Sequence, residues 1–150
     1  MGRRLVGAGW LVRGTTRSPG ATEDILAAGL EAAVADPDQG ASILDQVADV
    51  TLVFWLMGSA MGGPEAVGAL HGPRLERVLE KLVDTPVRGF VYEAAGSVPP
   101  EHLERGREIV RAAGERWRIP VALVDQGPGD WEAWTEAMLA AAERLIGGTG

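Results

Sequence analysis

Few side chains in this sequence can do acid–base, nucleophilic or metal chemistry, and their scarcity narrows the reactions available. There is no Cys in the 150 residues, which excludes a disulfide framework and a thiolate metal site. The two His, His71 and His102, have no paired spacing, so no metal site is expected, and a surface or helix-capping place suits both. Lys81 is the only Lys beside thirteen Arg, and Tyr92 is the only Tyr. Lys81 precedes Tyr92 by eleven positions, so no Tyr-x-x-x-Lys exists. The stretch Gly58-Ser59-Ala60-Met61-Gly62-Gly63-Pro64 is rich in small residues. It is not a P-loop, because Pro64 stands where that motif needs Lys. It is not a nucleophile elbow either, because Ser59 directly follows Gly58. What remains is a turn whose backbone a ligand can approach closely. Glu93 can serve as a general base if it is buried, though no partner for it is identifiable. Ser97 precedes Pro99-Pro100 and fits a loop. These two are the weak catalytic candidates.

The elements that must position these residues follow from the apolar pattern. Short apolar runs predict strands at 11–16, 32–35, 50–57, 87–93 and 121–124. The run Val50-Thr51-Leu52-Val53-Phe54-Trp55-Leu56-Met57 is apolar at all but one position, as in a parallel strand covered on both faces. Helical spacing or caps predict helices at 22–28, 41–48, 65–83, 100–117 and 131–146. Trp55, Trp117, Trp131 and Trp134 fit core or helix-packing positions. Alternation of the two kinds of segment implies βαβ units. The expected fold is a three-layer α/β sandwich, with a mainly parallel sheet of about five strands and helices on both faces. Residues 1–146 form one domain on this reading, and 147–150 a flexible tail.

The N-terminus admits two readings. Gly7-Ala8-Gly9 could open a dinucleotide-binding turn after a Leu5-Val6 strand. Alternatively, residues 3–8 end a helix capped by Gly9. Spacing favours the helix end. Only Trp10 separates Gly9 from the next apolar run, and a parallel crossover needs a dozen residues or more. Val12 also stands where G-x-G-x-x-G needs Gly.

A net charge of −7 argues against nucleic acid as a partner. No apolar run approaches the ~18 residues of a membrane span, and no signal peptide is visible. A cytoplasmic location is therefore expected.

Arg13-Gly14-Thr15-Thr16-Arg17-Ser18-Pro19 resembles the end of the second strand in NAD(P)-dependent epimerase/dehydratase proteins, the extended and atypical short-chain dehydrogenase/reductases. The runs 33–38, 51–60, 89–97 and 118–124 resemble that family's third to sixth strands in order. The resemblance implies a Rossmann-type fold with a dinucleotide at the carboxyl ends of the strands. It implies NADP(H) in preference to NAD(H), because Arg17 stands where the family reads the adenosine ribose and can pair with a 2′-phosphate. Thr15, Thr16 and Ser18 would donate to that phosphate, Asp36 would meet the adenine edge, and Leu56, Met57, Gly58 and Ser59 would flank the cofactor.

The chain also departs from the family. It reads as starting inside the helix after the glycine loop, without the first strand and the loop. Glu93-Ala94 replaces the family's Ser-Ser, and the Tyr–Lys pair that supplies the general acid is missing. Three expectations follow. One is an NAD(P)-binding Rossmann domain with doubtful oxidoreductase or epimerase/dehydratase activity. Another is a non-enzymatic interaction or regulatory module that uses an exposed sheet edge. The third is an enzyme whose longer form carries the missing strand. A homodimer is left open.

Overall fold

The computed structural model describes residues 2–7, 9–16, 19–27, 29–35, 42–43, 45–47 and 49–147. Helix α1 (Gly2–Gly7) opens the chain. Gly9 follows it at φ +95°. The Gly9 N–H donates to the Val6 carbonyl at 3.0 Å, and the Trp10 N–H to the Leu5 carbonyl at 3.0 Å. These paired bonds are a Schellman cap, which satisfies carbonyls the helix would otherwise orphan. The helix-end reading of the N-terminus therefore holds, and the glycine-turn reading does not.

Strand β1 (Arg13–Thr16) follows, then a 3-10 turn (Pro19–Ala21), helix α2 (Thr22–Ala27) and strand β2 (Glu31–Val34). The second half comprises β3 (Leu52–Trp55), α3 (Pro64–Leu70), α4 (Pro73–Leu82), β4 (Gly89–Glu93), α5 (Pro100–Trp117), β5 (Val121–Val124) and α6 (Trp131–Gly147). Among the described residues all five strands pair in parallel, as expected, but they form two sheets. One is β1–β2, with Arg13 opposite Glu31 and Thr16 opposite Val34. The other is β3–β4–β5, with Leu52 opposite Gly89 and Phe90 opposite Val121. Strands β1 and β3 face each other without pairing.

The larger sheet is covered on both faces, which explains its nearly unbroken apolar runs. Phe90 and Tyr92 point to one face and pack with Trp55, Leu75, Leu79, Leu82 and Val110 from the sheet and from α4 and α5. Val91 points to the other face and meets Ala122, Val124, Trp134, Met138 and Leu145. Helix α2 lies against β1 and β2, so tightly that a Cβ on Gly14 would come within 2.9 Å of the Ile25 side chain.

Two predicted helices differ. The stretch 65–83 is two helices, broken at His71-Gly72. Pro73 lacks an N–H to continue the first helix and disfavours the helical region for the residue before it. Of 41–48, the structure describes only 42–43 as helical, followed by a turn at 45–46.

Candidate functional site

The carboxyl ends of β3 and β4 are drawn together by their backbones. Gly58 and Gly96 touch: a Cβ on Gly58 would lie 2.0 Å from the Ala95 carbonyl oxygen, and one on Gly96 would lie 2.1 Å from that of Gly58. Gly96 also sits at φ +146°, which side chains avoid. The Val98 N–H donates to the Gly58 carbonyl at 3.0 Å, and the Ser97 N–H to Ser59 Oγ at 3.2 Å. The small residues of the Gly58–Ser59 turn thus let one loop seat against the other.

Glu93, the last residue of β4, lies beneath this turn and is 3% exposed. Its Oε1 accepts the Gly58 N–H at 2.7 Å, and its Oε2 accepts the Trp134 Nε1–H at 2.7 Å. Burial pushes the Glu93 carboxyl above the usual carboxylate range, and the two donors pull it back only in part. Glu93 therefore fulfils the burial condition for a general base. Each of its oxygens already accepts one hydrogen bond, so a substrate proton would have to reach a remaining lone pair of a carboxyl that is almost fully buried. Ser97 is exposed in the loop beyond, and its backbone rather than its hydroxyl makes the contact with Ser59.

No motif marks the polar pair under the other face. His71 is fully buried at the C-terminus of α3, so it has the helix-end place expected of it but not the surface one. Its Nε2 lies 2.8 Å from the Met57 carbonyl and its Nδ1 2.5 Å from Tyr92 Oη. A carbonyl only accepts, so Nε2 carries the proton and Nδ1 accepts from the Tyr92 hydroxyl. Burial favours this neutral form by lowering the His71 pKa. The same burial raises that of Tyr92, whose hydroxyl stays protonated. Tyr92, held under α5, is thus a structural donor. Lys81 is exposed on α4. Arg107 of α5 donates to the Ala94 carbonyl at 2.9 Å and to Asp125 at 2.7 Å, which fixes the chain where it leaves β4.

Thr15, Leu56 and Met57 line one cavity of about 910 Å³ between β1 and β3. Thr15 is exposed near the end of β1, Thr16 is that strand's last residue, and Leu56 and Met57 follow β3. Gly58 is buried and Ser59 exposed at the next turn. Arg17, Ser18 and Asp36 lie outside the described residues. Among the described residues no group of three or more His, Asp or Glu is placed to hold a metal ion, and no helix is long and apolar enough to cross a membrane.

No protein-family model matches the chain, and no curated protein matches it in sequence. Two solved structures of Citrobacter sp. triphenylmethane reductase, one of them complexed with NADP(H), do superpose on it. Each has a TM-score of 0.55 at 16% identity, covering 76% of this chain and 39% of the reductase. The chain thus spans well under half the length of these neighbours. At this identity the likeness is one of fold, and the fold is Rossmann-like α/β.

Proposed function

We propose that the chain binds a nicotinamide dinucleotide, NADP(H) in preference to NAD(H), across the carboxyl ends of β1 and β3. The observation that carries this reading is the cavity shared by Thr15, Leu56 and Met57. It opens where two parallel half-sheets diverge, the switch point at which doubly wound folds take their ligands. The reductase with the similar fold was solved with NADP(H).

The available donors suit the two ends of such a ligand. Thr15 is exposed, and Thr16, Arg17 and Ser18, the next residues in the sequence, would bring hydroxyls and a guanidinium to a ribose 2′-phosphate. Asp36 would meet the adenine edge. Leu56 and Met57 offer apolar contact to the nicotinamide end, with the exposed Ser59 beside them, while Gly58, its N–H and carbonyl taken by Glu93 and Val98, shapes the turn. Bound there, the nicotinamide supplies or accepts a hydride. Glu93 contributes by holding the Gly58 N–H and so the shape of that turn. The Tyr92 hydroxyl is committed to His71 and Lys81 lies on an exposed helix, so no Tyr–Lys acid is assembled. The proposal is therefore one of binding, with reductase or epimerase/dehydratase chemistry subordinate to it.

Titration with NADPH and NADH, followed by Trp fluorescence, tests this reading. NADPH should quench at lower concentration than NADH, and Arg17→Ala should abolish the difference. No response to either at sub-millimolar concentration would overturn the reading.

A further inference from the structure

We propose that Glu93 is a positioning residue whose carboxylate works as a proton-dependent latch on the turn after β3: ionised, it ties that turn to α6, and protonated, it slackens one of the two ties. The inference takes from the cofactor reading only its consequence, that the Gly58 turn shapes the nicotinamide end of the site. The latch itself is local geometry. Among the described residues His71, Glu93 and Thr135 are the buried polar side chains, and Glu93 is the acid among them. It ends β4 on the face that Val91 shares, since alternate residues of a strand point the same way. Helix α6 covers that face, with Trp134 packed in the same cluster as Val91.

One oxygen serves each neighbour. Oε1 accepts the Gly58 N–H at 2.7 Å, and Oε2 accepts the Trp134 Nε1–H at 2.7 Å. Hydrogen bonds to an ionised acceptor are roughly twice as strong as neutral ones. Protonation puts a hydrogen on one of those oxygens and weakens it as an acceptor, so one tie loosens. Gly58 has little room to absorb the change. A Cβ there would lie 2.7 Å from Oε1 and 2.0 Å from the Ala95 carbonyl oxygen, and its own carbonyl already accepts the Val98 N–H. A change at the Gly58 N–H is therefore passed to the turn and to the loop seated on it.

The charged and titratable groups around Glu93 are engaged elsewhere. On its own strand, Tyr92 points to the opposite face and keeps its proton against His71. From α5, Arg107 donates to Glu104 and to Asp125, which follows β5. At the start of α6, Asp130 accepts the Ala133 N–H at 3.0 Å, Glu132 is exposed, and Glu136 pairs with Arg4. The turn after β3, residues 58–63, carries no charged side chain. The balance at Glu93 is therefore between burial, which favours the proton, and its two N–H donors, which favour the charge. Burial outweighs the donors, so the latch changes state above the ordinary value of 4.5.

The test follows the Gly58 amide and the Trp134 indole N–H of the isotope-labelled full chain by NMR, from the ordinary carboxyl value of 4.5 to neutrality, first without ligand and then with NADP+. Without ligand, both signals should move with one shared midpoint. Glu93→Gln, whose amide offers a single acceptor oxygen, should abolish both movements. The native titration decides the latch even if that variant does not fold. Trp134→Phe keeps a ring but removes one donor to the carboxylate, so it should carry the Gly58 midpoint to higher pH. With NADP+, native affinity should fall on acidification by about tenfold more than that of Glu93→Gln, a coupling of ordinary size for linked sites. The variant is the reference because the ligand's own phosphate titrates near pH ~6. The latch is overturned if the two signals stay still, if their midpoints differ, or if Trp134→Phe leaves the Gly58 midpoint in place. It is also overturned if both proteins lose NADP+ affinity equally. Failure of NADP+ to bind at any pH overturns the cofactor reading alone, and a shared midpoint in the unliganded chain then still upholds the latch.

Discussion

Glu93 joins three elements through one carboxylate: it ends β4, holds the turn after β3 and accepts from α6. Its folded pKa is raised, so the folded state keeps the proton to higher pH than the unfolded chain does. The stability this provides is complete below the ordinary value of 4.5 and is lost as pH climbs through the folded value. Glu93→Gln removes that titration. Urea unfolding between pH 4.5 and neutrality should therefore show the native chain losing stability relative to the variant as pH rises, and a constant difference would contradict it. His71 makes a different prediction. His71→Phe keeps an aromatic ring but leaves the buried Tyr92 hydroxyl without its acceptor, while the Met57 carbonyl retains only the Ala60 N–H. A loss of about 1–3 kcal/mol is expected in urea unfolding at neutral pH. Glu93 stood out in the sequence because it ends an apolar strand. The burial of His71 did not, because the segment His71-Gly72-Pro73 reads only as a helix end. What the ring meets in the interior is Tyr92 and the Met57 carbonyl, residues far from it in the chain.

Between elements, Arg13 is the strap. It joins the start of β1 to Glu31 of β2 and to Gln46 and Asp49 ahead of β3. The guanidinium beside Asp49 holds that carboxyl below its usual range. Arg13→Met should therefore leave the core of the larger sheet intact while speeding amide exchange in β1 and β2, with a greater effect at low salt than at high salt. Equal acceleration in β4 would contradict this role. At this scale the strands were legible to within a few residues, because burial on both faces writes itself as apolar runs. The division of 65–83 was signalled by Gly72-Pro73, but the amphipathic spacing on either side hid it. The cap at Gly9 was readable because a positive φ needs a residue without a Cβ.

At the scale of the molecule, alternating strands and helices were enough to predict a parallel α/β sandwich. The pattern could not say whether β1 and β3 would pair with each other, because apolar runs do not encode which strand edges meet. The gap between the two half-sheets holds the cavity on which the cofactor proposal rests. A titration of the isotope-labelled chain with NADPH, followed as backbone amide shifts, bears most directly on the central claim. Saturable shifts at residues 15–18 and 56–59, larger for NADPH than for NADH, are the predicted result. Unchanged spectra at sub-millimolar NADPH, or shifts gathered on α4 and α5 away from the cavity, would contradict it.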